Sequence, residues 1–61
     1  DAFRYLKKAA DQGLDEAQYL VACMYANGQG VEQNHEEAMA WMEEAADNGN
    51  EEAEEALAQM R

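Results

Sequence analysis

Apolar residues recur every three or four positions along most of this 61-residue chain, and glycines interrupt the pattern. Gly13, Gly28 and Gly49 each follow an apolar-periodic run, where a helix commonly ends on a left-handed residue. Asn34, with Glu37 three positions later, has the pattern of an N-cap and a capping box. The pattern predicts four helices, over residues 2–12, 15–26, 35–48 and 51–60.

Few large apolar side chains are available to build a core, because 13 of the 29 apolar residues are alanine. At about 100° per residue, the apolar side chains between residues 17 and 25 gather on one face of the second helix. We expect that face to be Ala17, Leu20, Val21, Met24 and Tyr25. The predicted core is Phe3, Tyr5, Leu6, Leu20, Val21, Met24, Tyr25, Met39, Trp41, Met42, Leu57 and Met60.

The composition argues against several classes of protein. Only Val21 and Val31 are β-branched, whereas strands favour branched and aromatic side chains, so a sheet is not expected. The chain has no serine or threonine, which removes serine hydrolases and Walker loops from consideration. The lone Cys23 cannot form an internal disulfide, and no apolar run reaches the roughly 20 residues of a membrane helix.

The chain is strongly acidic, with a net charge of −10 from 14 Asp and Glu against 4 Lys and Arg. Such a chain is repelled by phosphate backbones and anionic lipid, so we expect no nucleic-acid and no membrane partner. Residues 1–30 carry three basic and four acidic groups (−1), and residues 31–61 carry one and ten (−9). We interpret most of the acid as a solvated outer face that steers cationic partners.

The chain aligns with itself when it is shifted by 36 residues. Of the 25 aligned pairs nine are identical, and Tyr5 falls on Trp41 while Gly13 falls on Gly49. A period between about 20 and 50 residues is typical of stacked repeats. The sequence therefore predicts an all-α fold, an alpha-alpha superhelix (solenoid) of antiparallel helix pairs with four helices.

The middle of the chain carries a more specific pattern, in which Gly28, Gly30 and Val31 stand between Tyr25 and Trp41. With these residues the chain resembles the Sel-one-like repeat (SLR) family, a branch of the tetratricopeptide-like superfamily. The other residues that carry the resemblance are Ala17, Gln18, Val21, Ala22, Met24, Asn34, Ala38, Ala45, Ala46 and Gly49.

The resemblance covers the whole chain as a half repeat 1–13, a full repeat 14–49 and a half repeat 50–61. Because the chain opens inside a predicted helix, we expect it to be a fragment of a longer array. The resemblance implies a solenoid adaptor that binds proteins or peptides. Two residues depart from the family pattern: Ala22 replaces a glycine at a close helix contact, and Leu14 replaces a polar cap.

The second helix also carries side chains opposite its apolar stripe. Tyr19 and Cys23 lie about 160–240° from the stripe, and Asn27 lies at the end of the helix. The matching positions of the fourth helix are Glu55 and Gln59. The resemblance implies that these five residues line the concave groove of the superfamily, where a tyrosine beside a carboxylate and an amide suits a basic peptide. The alternative is that Tyr19 packs on a neighbouring repeat.

No residue pattern predicts a catalytic, cofactor or metal site. His35 beside Glu36 and Glu37 lacks the second histidine of a zincin helix, so we interpret it as a solvated helix start. The glycine loop after the second helix imitates a dinucleotide-binding loop, but no strand precedes it. Cys23 has no histidine or lysine at helical spacing that would activate it. We therefore predict that the chain is not an enzyme and uses no cofactor.

These observations, together with the resemblance, predict a protein–protein interaction module that binds a protein or a peptide on the concave face, and the acidic groove favours a basic one. The alternative is a structural spacer repeat with no ligand of its own. A third expectation concerns the two ends of the chain. Helix 51–60 of one copy and helix 2–12 of the next would complete a repeat, which predicts head-to-tail self-association.

Overall fold

Four α-helices make up most of the chain, in the predicted order. The computed structural model describes residues 1–60, with side chains as far as residue 59. The helices are α1 (Ala2–Asp11), α2 (Asp15–Asn27), α3 (His35–Asp47) and α4 (Glu51–Met60). Within the described residues there is no strand. The all-α prediction is confirmed, and each predicted helix end is correct to within one residue.

Each helix packs against the next one along the chain. The helix α2 lies between α1 and α3, and α3 also packs against α4. The result is a flat stack of helical hairpins that measures 30 × 22 × 14 Å. This arrangement is the alpha-alpha solenoid that the repeat predicts.

The core consists of two small apolar clusters, and Trp41 of α3 packs against both of them. Most of the buried residues are alanines, which allow the helix backbones to approach closely. The first cluster, between α1 and α2, is Ala10, Ala17 and Val21. The second cluster, between α2, α3 and α4, is Ala22, Met42, Ala45, Ala53 and Leu57.

Two residues of the predicted core are exposed in the structure. Tyr5 is 76% exposed and Leu20 is 43% exposed. The buried face of α2 includes Gln18 and Ala22, which were not part of the predicted apolar stripe. At 100° per residue, the centre of the buried face lies roughly 60° around the helix axis from the centre of that stripe. The reason is that α2 packs between two helices: Ala22 packs in the cluster with α3, and Gln18 bonds to α1 and to the turn after α3. The predicted core residue Met60 lies outside the described side chains.

The helix starts follow the predicted chemistry with one difference. The Oδ1 of Asn34 accepts a hydrogen bond from the Glu37 backbone N–H at 3.1 Å, which confirms the N-cap of α3. The backbone N–H of Asn34 donates to the Tyr25 carbonyl at 3.0 Å instead of completing the capping box. The loop before α3 is therefore tied to α2. As predicted from the departure at Leu14, α2 has no side-chain cap.

We expect Gly28→Ala to destabilise the fold more than Gly13→Ala. Both glycines have positive φ, 69° and 96°, which costs an alanine about 1 kcal/mol at either position. An added Cβ at Gly28 would also lie 3.3 Å from the Gln33 Cβ, whereas nothing lies within 4 Å at Gly13. In urea denaturation the free energy of unfolding should fall by about 2 kcal/mol for Gly28→Ala and by about 1 kcal/mol for Gly13→Ala. Equal losses would contradict this ranking.

Candidate functional site

A groove lies between α2 and α4, beside the second cluster. The half-buried ring of Tyr19 packs against that cluster, as Ala56 does from α4. These two residues line a groove of about 240 Å³ together with Glu52, Glu55 and Gln59. We call these five residues the α2–α4 groove.

The position of α4 in this groove is fixed at its first turn. The Oδ1 of Asn50 accepts a hydrogen bond from the Ala53 backbone N–H at 2.8 Å and caps the helix. The Nδ2 of the same side chain donates to the Asp15 Oδ2 at 3.1 Å, at the start of α2. Asn50 is buried and Asp15 is half-buried, so the bond between them connects the starts of the two helices with little exposure to solvent.

The hydroxyl group of Tyr19 lies in a negative environment. The neighbouring Cys23 thiol is the main cause that raises the pKa of Tyr19 above its usual value. Partial desolvation and the carboxylates of Glu52 and Glu55 raise the pKa of this phenol further. A tyrosine hydroxyl is protonated at neutral pH, and the raised pKa extends this protonation to higher pH, so Tyr19 offers a hydrogen-bond donor and acceptor beside two exposed carboxylates.

The structure brings together three of the five predicted groove residues. Tyr19, Glu55 and Gln59 line the same groove. Cys23 is half-buried and adjoins Tyr19 without lining the groove. Asn27, the last residue of α2, is exposed and lies outside the groove.

Sequence reasoning missed Glu52 and Ala56, which also line the groove. Counted from Glu52, the four groove residues of α4 stand at i, i+3, i+4 and i+7, which is one face of a helix. This spacing was a usable signal once Glu55 and Gln59 had been selected.

A buried amide joins the helices on the other side of α2. Gln18 is 3% exposed, and its Nε2 donates to the Ala10 carbonyl at 3.1 Å. Its Oε1 accepts a hydrogen bond from the Asn48 Nδ2 at 2.9 Å. We call these two bonds the Gln18 bridge. It connects α2 both to α1 and to the turn after α3, and it belongs to the packing of the fold, not to the groove.

The part of the chain that the structure describes shows no metal centre and no membrane-spanning helix. His35 is exposed at the first position of α3. Up to residue 60, no group of three His, Cys, Asp or Glu side chains is placed to hold a metal ion. None of the helices described is both long enough and apolar enough to cross a membrane.

Comparison with known proteins gives matches of two kinds. The family profile described as "Sel1 repeat" matches residues 1–14 and 15–50. The chain is also 40% identical over 48 residues to the chitin synthase regulator SKT5 of Saccharomyces cerevisiae (strain ATCC 204508 / S288c). That alignment covers 79% of this chain and 7% of the yeast protein, so the chain spans a small part of this relative. No solved structure matches significantly.

Proposed function

Because the chain belongs to the Sel1 repeat family, a family of TPR-like repeats that commonly act as protein-interaction modules, we propose that it binds a protein or peptide in the α2–α4 groove. The observation that carries the proposal is the half-exposed Tyr19 ring beside the exposed carboxylates of Glu52 and Glu55. An amphipathic ring in a rigid helical frame supplies contact area at a low entropic cost, which is typical of interface anchors.

The chemistry of the groove favours a basic partner. Its two carboxylates are exposed, and α4 has two further glutamates in its first turns. A lysine or arginine side chain entering the groove would meet these carboxylates and the face of the Tyr19 ring. The volume of about 240 Å³ is below the ~300–1,000 Å³ of small-molecule pockets, so it suits one or two side chains of a larger partner.

We infer that the chain acts by binding and not by catalysis, as is typical of Sel1 repeat proteins. The yeast relative is described as a regulator of chitin synthase, and regulation through a protein contact fits an interaction module. The similarity covers 7% of that relative, so it supports the type of repeat and not a particular partner. The division into a half, a full and a second half repeat within a longer array remains part of the proposal.

A peptide titration tests the groove. We expect a peptide of alternating arginine and leucine to shift the amide resonances of Tyr19, Glu52 and Glu55 in the ¹⁵N-labelled chain, and a glutamate–leucine peptide to leave them unchanged. Tyr19→Ala and Glu55→Lys should each weaken the binding of the arginine peptide by about 10-fold or more. Tyr5→Ala, which removes an exposed tyrosine outside the groove, is the matched control and should bind normally. Shifts confined to other helices would contradict the proposal.

The spacer alternative is favoured by one observation, since Tyr19 packs against the second cluster as well as lining the groove. Tyr19→Phe separates the two functions because it keeps the ring and removes the hydroxyl. If the groove binds a partner through Tyr19, this variant keeps its free energy of unfolding within about 0.5 kcal/mol and binds the arginine peptide more weakly. Unchanged binding in both Tyr19→Phe and Tyr19→Ala, with stability lost in the latter, would support the spacer.

A further inference from the structure

A second and larger groove, of about 470 Å³, lies between α3 and α4. We call it the α3–α4 groove. It is separate from the α2–α4 groove, with which it shares no lining residue. Its lining residues are Glu43, Ala46, Asp47, Glu54, Leu57 and Ala58.

The repeat shows what such a groove holds elsewhere in this chain. The positions one 36-residue period earlier lie on α1 and α2 and include Ala10, Gln18 and Val21. In the structure that surface is covered by α3. Trp41 packs against the first cluster, and the Asn48 Nδ2 donates to the Gln18 Oε1 at 2.9 Å. The α1–α2 surface therefore receives a helix with an aromatic anchor and a terminal amide.

The helix α1 carries the same two features. Tyr5 occupies the position of Trp41 and Gln12 that of Asn48 in the repeat. Tyr5 is 76% exposed and Gln12 is exposed, so both are free for an outside contact. The α3–α4 groove is thus equivalent to the α1–α2 surface that α3 covers, and α1 is equivalent to the helix α3 that covers it.

The charges of the two surfaces are complementary. Arg4 and Lys8 flank Tyr5 at i−1 and i+3 and are exposed. The α3–α4 groove carries three exposed carboxylates and no basic residue. In the internal contact the Asn48 amide donates to Gln18. The equivalent residues in the contact between two copies are Gln12 and Glu54, so the Gln12 amide would donate to the Glu54 carboxylate in a charge-assisted hydrogen bond.

We propose that the α3–α4 groove binds α1 of a second copy of this chain, with Tyr5 seated against Ala46 and Leu57. The contact is heterologous, because it joins different surfaces of the two copies, and it continues the 36-residue stacking from one copy to the next. Within the described residues each bound copy still presents one unoccupied α3–α4 groove and one exposed α1, so association of the 61-residue chain should continue past a dimer. This inference goes beyond the proposed function, since it uses neither Tyr19 nor the α2–α4 groove.

Sedimentation equilibrium of the 61-residue chain, from micromolar to millimolar concentration, tests the contact. The average mass should rise from 6.8 kDa past that of a dimer, and added salt should reduce it. Tyr5→Ala should weaken association by about 10-fold or more, and Tyr5→Trp should preserve it. A mass fixed at 6.8 kDa across the whole range would overturn the proposal.

Complementation between two variants identifies the surfaces. A Glu54→Lys copy keeps its α1 but has an altered groove, whereas a Tyr5→Ala copy keeps its groove but lacks the anchor. Both residues are exposed, so circular dichroism should show unchanged helicity.

Each variant alone should stay monomeric at concentrations where the wild type associates, and the mixture should stop at a 1:1 pair. Association of either variant as strong as that of the wild type, or a mixture that stays monomeric, would overturn the assignment. Gln59→Ala, which alters the α2–α4 groove at an exposed residue, should associate normally, and this keeps the test independent of that groove.

Discussion

Replacing Trp41 with alanine is expected to remove about 3 kcal/mol or more from the free energy of unfolding, the largest loss for a single substitution in this chain. Trp41 is the side chain that packs against both apolar clusters, and its ring centroid also lies 5.7 Å from the Lys7 Nζ. A domain of 61 residues has roughly 3–9 kcal/mol of stability in total. The loss is therefore about a third or more of the total stability, and urea denaturation followed by far-ultraviolet circular dichroism should show a correspondingly lower midpoint.

The repeat supplies the matched control for this prediction. Tyr5 stands at the position equivalent to Trp41, but it is 76% exposed. Tyr5→Ala should change the free energy of unfolding by at most about 0.5 kcal/mol at micromolar concentration, where the chain is expected to be monomeric. Similar losses in the two variants would show that Trp41 does not join the two clusters in solution.

The second large effect is expected for Gln18→Ala, at about 2 kcal/mol. The substitution removes both bonds of the Gln18 bridge and leaves the Asn48 amide without its partner across the helices. It also leaves a small cavity at a position that is 3% exposed. Glu54→Ala, one period later in the repeat and exposed, is the matched control and should cost less than about 0.5 kcal/mol.

A double-mutant cycle assigns the loss to its cause. If the Gln18 bridge stabilises the stack, Gln18→Ala and Asn48→Ala should show a coupling energy of about 1 kcal/mol in urea denaturation. Additive losses would mean that the two amides act separately, and the stabilisation by Gln18 would then come from packing and from its bond to the Ala10 carbonyl.

The candidate groove was only partly accessible from the sequence. Tyr19 and Glu55 come from different helices, but the 36-residue period placed them at equivalent positions, and the structure brings them into one groove. Cys23 and Asn27 were selected by the same angular argument and lie outside it. The angular position of a residue around α2 predicts the direction in which its side chain points. Whether that side chain lines the groove also depends on where the neighbouring helix α4 crosses α2. For α4 that crossing is set in part by the bond between Asn50 and Asp15.

The sequence by itself determined the four helices, their ends and the repeat, because these depend on local spacing, glycine conformation and capping side chains such as Asn34. Only the tertiary structure decided which face of α2 is buried, and why equivalent aromatics differ. Trp41 is covered because α1 and α2 lie beside it, while Tyr5 is exposed because none of the four described helices packs on that side of α1. Burial is a property of neighbours in space, so two residues with the same place in a repeat have different environments when their neighbours differ.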